Sequence, residues 1–227
     1  MKFTLLAALL LTSTQVLAYD FPSLSHQVAY FQSVYGNPSN SYTITTTEMN
    51  RGQTRPKAVL KGVYYFGGVD RKETLTSPLS PQYRSLLCEH GFENAYTVYN
   101  APTTTTSCSK GTMEYTRIAE AAAAADGGPR VKAMMQKIYE IIKADGKKGP
   151  IYLHCAYGVH ASNTISQMVL KQFCGISDEE ASRNWDRVNY ANSLGADGVA
   201  KQKAKIRAFR PDPALSLTEA ERNMVCY

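Results

Sequence analysis

Residues 150–162 read Pro-Ile-Tyr-Leu-His-Cys-Ala-Tyr-Gly-Val-His-Ala-Ser, and this stretch decides the fold of the chain. The apolar residues before His154 are typical of a buried strand. Gly158 indicates a tight loop, and Ser162 marks the start of an amphipathic helix. The sequence therefore predicts a strand, a loop and a helix in direct succession, with Cys155 where the strand ends.

The predicted position of Cys155 has a chemical consequence. At a junction of strand, loop and helix, the backbone N–H groups of the loop and the positive end of the helix dipole converge. This setting favours the thiolate form of a cysteine, which is the nucleophilic form. It also offers hydrogen-bond donors to an incoming anion. We therefore expect an anion site that contains a nucleophile.

Four residues of this stretch also carry a family resemblance: His154, Cys155, Gly158 and Ser162. The stretch resembles the active-site loop of the cysteine-dependent phosphatases, which include protein tyrosine phosphatases, dual-specificity phosphatases and tyrosine-phosphatase-like phytases. Their pattern is His-Cys, two residues, Gly, two residues, Arg, and then Ser or Thr. The chain departs from this pattern at one place, because Ala161 stands where the family has arginine.

The resemblance implies a role for three side chains. Cys155 would attack phosphorus to form a phosphocysteine that water then hydrolyses. His154 would orient the loop and help to hold the thiolate, and Ser162 would donate a hydrogen bond to the sulfur as it leaves. Each also has a purely structural interpretation: a buried apolar cysteine, a hydrogen-bonded core histidine and a helix N-cap serine.

The backbone of the loop is the expected phosphate-binding element. Gly158 would permit a tight loop and a close approach of phosphate, unless it is an ordinary turn glycine. The residues whose backbone would surround the phosphate are Ala156, Tyr157, Gly158, Val159, His160 and Ala161.

The family also uses a general acid, usually an aspartate on a loop about thirty residues before the cysteine. Asp126 stands 29 residues before Cys155 and directly before Gly127 and Gly128, which would allow a loop to move. Glu120 is the reserve candidate. Alternatively, Asp126 only forms a turn after a run of alanines.

The alanine at position 161 has an energetic consequence. An arginine there would give two charge-assisted hydrogen bonds to the phosphate, each worth about 1.5–3 kcal/mol. Their loss corresponds to about a hundredfold to ten-thousandfold in rate. The loop amides do not depend on that side chain, so anion binding is expected to persist where turnover does not. The neighbouring His160 would supply a cation at mildly acidic pH, unless it is simply an exposed histidine.

The order of elements predicts an α/β fold. The resemblance implies the three-layer phosphatase architecture, in which a central mixed sheet is flanked by helices and the active-site loop lies between a strand and a helix. Apart from the strand before Cys155, strands are predicted at residues 42–47, 58–66 and 95–99, and a loop at 100–111. Helices are predicted at residues 81–90, 113–125, 129–144 and 162–174. Two more helices are predicted from capping pairs: Ser177 and Glu180 begin a helix that runs to about residue 190, and Ser216 and Glu219 begin a short final helix.

Residues 1–18 have the charged start, apolar centre and small-residue end of a signal peptide, and the apolar run is too short for a membrane span. We expect an exported protein, periplasmic or secreted, without a membrane span. Residues 19–227 are expected to form a single domain. It would comprise an irregular N-terminal wrap (19–57), a core (58–190) and a C-terminal helical segment (191–227).

The charge is modestly basic, since removal of Lys2 lowers the formal net charge from +6 to +5. This fits a phosphorylated small molecule or a phosphoprotein as partner, and we predict no nucleic-acid partner. Five basic residues cluster in one later segment, which we interpret as a solvated helix face rather than a polyanion site: Lys201, Lys203, Lys205, Arg207 and Arg210.

The five cysteines are an odd number for an oxidising compartment. Two disulfides and one free thiol is the simplest arrangement, and Cys155 is the natural free thiol. Four cysteines allow three pairings, of which we favour Cys88 with Cys108 and Cys174 with Cys226. The alternative is that some of them are simply buried thiols.

Four functions compete at this point. The first is a phosphomonoesterase with impaired hydrolysis, and the second is a pseudophosphatase that binds a phosphorylated or anionic ligand without turnover. The third is a Cys/His hydrolase or a metal site using His154, Cys155 and His160, and the fourth is a structural exported protein. The phosphatase mechanism needs no metal or organic cofactor. Phosphotyrosine, inositol phosphates and phosphorylated lipids or sugars all fit as substrates.

The first testable prediction concerns export and thiols. Expressed with its leader in a bacterial host, the mature protein should begin at Tyr19, and one thiol should be alkylated without prior reduction. Intact-mass and peptide mapping would check both statements. A map with Cys155 in a disulfide and another cysteine free would contradict the assignment of Cys155 as nucleophile.

Overall fold

The computed structural model describes residues 21–35, 57–69, 78–118, 127–188 and 194–227. Its strands are β1 (Lys57–Leu60), β2 (Tyr64–Gly67), β3 (Asn94–Thr97), β4 (Thr104–Cys108), β5 (Gly111–Arg117) and β6 (Ile151–His154). Its helices are α1 (Leu24–Tyr35), α2 (Pro81–Glu89), α3 (Gly128–Lys143), α4 (Ala161–Cys174), α5 (Asp178–Val188), α6 (Ala196–Ala208) and α7 (Glu219–Val225). A 3-10 turn at Pro213–Leu215 precedes the last helix.

The strands form one mixed sheet in the order β1-β2-β6-β3-β5-β4. The four central strands, β2, β6, β3 and β5, are parallel, and β1 and β4 pair antiparallel at the two edges. Strand β6 is therefore central and has a parallel neighbour on each side. The prediction of a central mixed sheet is confirmed.

Helices cover both faces of this sheet. Side chains alternate along β6, so that Ile151 and Leu153 pack with α3 and α4, while Tyr152 packs with α2 and with Phe31 of α1. Because both faces are covered, every residue of β6 is buried, as is usual for a central parallel strand. This is the predicted three-layer arrangement.

Two helices predicted from caps and periodicity are confirmed. Helix α2 begins with Pro81 in its first turn, and the Ser80 side chain accepts a hydrogen bond from the Tyr83 amide. Helix α3 buries one apolar face, whose members are Val131, Met134, Met135, Ile138, Ile141 and Ile142.

The carboxyl ends of the parallel strands meet at one edge of the sheet. In register, His154 of β6 lies beside Gly67 of β2 and Thr97 of β3, and Thr97 lies beside Arg117 of β5. Cys155 follows His154 directly. The predicted loop therefore lies at the edge where ligand sites of open α/β sheets occur.

The N-terminal segment is more regular than predicted. Within residues 19–57 we expected an irregular wrap, but α1 occupies twelve of them. Leu24, Val28 and Phe31 are buried at helical spacing, and Gln27 is buried among them, where its side-chain amide donates to the Gly62 carbonyl at 2.8 Å. A polar residue inside the buried stripe obscured the periodicity.

The single strand predicted at residues 58–66 is wrong, because β1 and β2 form a hairpin there. The turn passes through Gly62 at a φ of 68°, a conformation that favours glycine. A Cβ on Gly62 would lie 2.7 Å from the Cα of Val28, so the turn packs directly on α1.

The loop predicted at residues 100–111 and the helix predicted at 113–125 are also wrong. Both regions contribute to an antiparallel hairpin in which Cys108 of β4 pairs with Gly111 of β5. The β-branched threonines of β4 favour a strand, whereas the alanines after residue 120 had suggested a helix. Residues 119–126 lie outside the described part of the chain, as does the strand predicted at 42–47.

Helix α4 was predicted to be amphipathic, but it is buried on almost all sides. Its apolar face packs on the sheet, and its polar face is covered by the helices that follow. There the Asn163 amide donates to the Trp185 carbonyl at 3.1 Å, and Lys171 donates to the carbonyls of Ile206 and Phe209 at 2.7 and 2.8 Å. The polar residues of α4 thus hold the C-terminal helices.

One of these later helices begins as predicted, and another differs in detail. The Ser177 hydroxyl accepts from the Glu180 amide at 3.1 Å, as predicted for the start of α5. The capping box of the last helix uses Thr218 and Glu221, two residues beyond the predicted Ser216 and Glu219. Of the basic residues predicted to form a solvated face, Lys201 and Arg207 of α6 are exposed, whereas Lys203, which pairs with Asp186, and Lys205 are only partly exposed.

The disulfides join Cys88 to Cys108 and Cys174 to Cys226, and Cys155 is the free thiol. The favoured pairing is therefore confirmed. Two disulfides are compatible with an exported protein. The signal peptide predicted at residues 1–18 lies outside the described residues. No helix in the described ranges is long and apolar enough to cross a membrane.

The two disulfides should differ in their contribution to stability. Cys174–Cys226 spans 52 residues and Cys88–Cys108 spans 20. Loop-closure entropy then predicts losses of about 4 kcal/mol for Cys174→Ser/Cys226→Ser and about 3 kcal/mol for Cys88→Ser/Cys108→Ser. Denaturant unfolding of both variants would measure the losses, and the reverse order would contradict this entropic account.

Candidate functional site

Cys155 and Ser162 form the centre of the site. The Ser162 hydroxyl lies 3.1 Å from the Cys155 sulfur and 3.4 Å from the Gly67 carbonyl oxygen, and both residues are buried. The N-cap of α4 is His160, so the interpretation of Ser162 as the N-cap is wrong. Ser162 lies inside the first turn, and its hydroxyl faces the thiol across the loop.

The loop between Cys155 and Ser162 packs against the end of β2. The Ala156 carbonyl accepts from the Val69 amide at 3.0 Å, and Tyr157 forms an isolated antiparallel bridge with Gly68. Gly158 adopts a φ of 66°, and a Cβ there would lie 2.5 Å from the Gly67 carbonyl carbon. Gly158 is therefore required both by its backbone conformation and by its contact with β2.

His154 is fully buried and hydrogen-bonded through both ring nitrogens. Nδ1 lies 3.3 Å from the Cys155 carbonyl oxygen, which can only accept, so Nδ1 donates. In the neutral ring Nε2 then accepts from the Tyr115 hydroxyl, 2.7 Å away. The ring is a hydrogen-bonded core histidine, and the same bonds hold the backbone at Cys155. This geometry suits a positioning residue better than a base.

Tyr99 is a site residue that the sequence reasoning did not identify. Its hydroxyl accepts a hydrogen bond from the Ala156 amide at 3.0 Å. Burial raises the pKa of Tyr99 to about 12, and its electrostatic interaction with Cys155 adds to this rise. Its position in the sequence could have identified it, because Tyr99 lies just beyond β3, and β3 pairs in parallel with β6, so both strands end at the same edge of the sheet.

Ala161 is the first residue of α4 and is half-buried. The position that holds arginine in the phosphatase pattern is therefore the start of this helix. Arg117 ends β5 two strands from β6, and its guanidinium donates to the Asn100 side chain. The Arg130 guanidinium donates to the Arg117 carbonyl at 2.9 Å. These two arginines thus link the end of β5 to Asn100 after β3 and to the start of α3.

The predicted general acid, Asp126, and its reserve, Glu120, lie outside the described residues. Their flanking residues are described: the Ile118 amide donates to the Thr97 carbonyl at 2.8 Å, and α3 begins after Gly127. The Arg130 contact brings the start of α3 to the end of β5. The role of Asp126 stays a prediction.

Within the described ranges, no group of three or more His, Cys, Asp and Glu side chains is arranged to hold a metal ion. The predicted metal alternative, with His154, Cys155 and His160, therefore has no support in the geometry.

Comparisons with known proteins give no family assignment. No protein-family profile matches the chain, and no curated protein matches its sequence. The phosphatase resemblance consequently rests on the residues of the loop and on their arrangement.

The contact between Gly158 and β2 can be tested against a matched glycine. Gly175 has nearly the same φ, 68°, but nothing lies within 4 Å of its Cβ position. Gly175→Ala should cost about 1 kcal/mol from backbone strain alone, whereas Gly158→Ala should cost several kcal/mol, because the backbone of β2 must also move. Denaturant unfolding of the two variants measures the difference, and equal losses would contradict the proposed packing.

Proposed function

We propose that this protein binds phosphorylated ligands at the loop after β6 and hydrolyses phosphomonoesters slowly through a phosphocysteine. The observation that carries this proposal is the Cys155–Ser162 pair, with 3.1 Å between sulfur and hydroxyl oxygen at the carboxyl end of a central parallel strand. The Ser162 hydroxyl, in the first turn of α4, is held within hydrogen-bond distance of the free Cys155 thiol. Such a donor suits a sulfur that acts first as nucleophile and then as leaving group.

The reaction would proceed in two balanced steps. The Cys155 thiolate attacks phosphorus, an S–P bond forms, and the ester P–O bond breaks as the alcohol leaves with a proton from the general acid, for which Asp126 is the predicted residue. Water then attacks phosphorus and returns a proton to that carboxylate, the S–P bond breaks, and inorganic phosphate is released. The Ser162 hydroxyl supports the second step, because it donates to the sulfur as its negative charge returns.

The binding of the phosphate would rely on donors that do not require an arginine. The start of α4 directs its dipole toward the loop, and the loop is held in shape by its contacts with β2. The basic net charge of +6 for the whole chain also favours anionic ligands. Export of the protein is part of the proposal, supported by the leader-like residues 1–18 and the two disulfides.

A second candidate is a pseudophosphatase that binds a phosphorylated or anionic ligand without turnover. The observation in its favour is Ala161, since the loop supplies no guanidinium to balance the charge that develops on the phosphoryl group. The arginines near the edge, Arg117 and Arg130, already contact Asn100 and the Arg117 backbone. The two candidates share a site and differ only in rate.

The substitution Ala161→Arg separates them. It restores two hydrogen bonds to the phosphoryl group and should raise the hydrolysis of an aryl phosphate about a hundredfold or more. Ala161 is partly exposed, so a longer side chain has an outlet. Steady-state release of the aryl alcohol measures the gain.

Two controls accompany this measurement. Ala161→Gln adds a long neutral side chain and should give little gain, and the gain of Ala161→Arg should vanish when Cys155→Ser is added. A native protein already as fast as its arginine variant would show that another cation, such as His160, serves the site. An inert arginine variant that still folds and binds vanadate would leave the pseudophosphatase, and one that binds no oxyanion would contradict the proposal.

A further inference from the structure

Tyr99 makes a contact that the phosphatase resemblance does not assign. It lies just beyond β3, where the Val98 amide donates to the His154 carbonyl at 3.2 Å and the Tyr99 amide donates to the Thr97 hydroxyl at 3.2 Å. The Tyr99 carbonyl accepts from the Ala101 amide at 3.0 Å. The backbone on both sides of the residue is thus held, and its side chain reaches the start of the loop.

The hydroxyl of Tyr99 ends at the first amide after the nucleophile. The oxygen accepts from the Ala156 N–H at 3.0 Å, which uses one lone pair and leaves the hydroxyl proton to be donated. Among the described residues this proton has no acceptor. Ala156 directly follows Cys155 in the chain, so this hydrogen bond places the Tyr99 hydroxyl beside the residue that carries the sulfur.

We propose that the Tyr99 hydroxyl belongs to the oxyanion site, where it accepts from the Ala156 amide and donates its own proton to a phosphoryl oxygen bound beside Cys155. This inference rests on the proposed function, because it assumes that an oxyanion binds at the loop. It specifies the ligand as a tetrahedral oxyanion and adds a neutral donor to a site that lacks the arginine at position 161.

Two properties make Tyr99 suited to this task. Burial raises its pKa to about 12, so the hydroxyl is protonated at neutral pH, where a phosphomonoester is a dianion, and it remains a donor. The hydrogen bond that it accepts from the amide strengthens the one that it donates. The Ala156 amide then acts on the anion through the tyrosine rather than directly.

A competing possibility gives the opposite result. If the Tyr99 hydroxyl merely occupies an amide that the anion needs, its removal would free the Ala156 N–H and tighten binding. The substitution Tyr99→Phe therefore discriminates by the sign of its effect. Tyr139→Phe is a matched control, since Tyr139 is also a partly buried tyrosine but lies in α3 beside Lys143.

The experiment is a calorimetric titration of the native protein and both variants with inorganic phosphate and with vanadate. Tyr99→Phe should weaken binding by about tenfold to a hundredfold, the range for one hydrogen bond to a charged group, and Tyr139→Phe should leave it unchanged. Unchanged or tighter binding by Tyr99→Phe would overturn the inference. A native protein that binds neither anion would instead refute the proposed function.

A second measurement tests whether Tyr99→Phe weakens binding only because the loop changes shape when the hydroxyl is removed. In the native protein labelled with carbon-13 at the tyrosine ζ carbon, the Tyr99 signal is the one absent from Tyr99→Phe. Saturation with phosphate should shift this signal, because the hydroxyl gains an acceptor, while the Tyr139 signal stays in place. A Tyr99 signal that does not move at saturation would overturn the inference even if Tyr99→Phe binds weakly.

Discussion

The close contact between the loop after β6 and the end of β2 is the constraint on which the site depends. Gly158 approaches Gly67 so closely that no Cβ fits between them, and Gly67 is itself restricted, since a Cβ there would lie 2.3 Å from the Tyr152 hydroxyl. With the loop held in this way, Ser162 reaches back across it to both the Gly67 carbonyl and the Cys155 sulfur. Backbone packing thus determines where the thiol and its hydroxyl partner meet.

The parts of the fold that could be predicted from the sequence are those that local sequence signals determine. The strand, loop and helix of residues 150–174 carry local signals: an apolar run, a glycine with positive φ and a regular apolar face. The count of cysteines and the position of Cys155 predicted two disulfides and one free thiol, although they left three pairings open. Such features can be predicted because each is determined by neighbours in sequence, or by a simple count.

The errors arose where distant residues decide the local structure. Gln27 is polar in sequence but buried, because Gly62 of the β1–β2 turn offers its carbonyl to the side-chain amide. The polar face of α4 resembled a solvent-facing surface, yet Trp185, Ile206 and Phe209 cover it from later in the chain. Tyr99 was missed for the same reason, since its contact with Ala156 spans 57 residues. Tertiary contacts of this kind leave no periodic signal.

The proposed binding and the proposed turnover depend on the core to different degrees. The geometry of the loop is part of the core: Cys155, Val159 and Ile165 pack in the cluster that includes α3 and the sheet. Folding alone therefore maintains the thiol, the hydroxyl and the helix start, whether or not any substrate is hydrolysed. The arginine of the phosphatase pattern has no such structural role at Ala161, which is partly exposed at the helix start. Under the proposed function, the alanine would lower the stabilisation of a charged transition state without disturbing the fold, so an intact loop would fit anion binding and would be silent on rate.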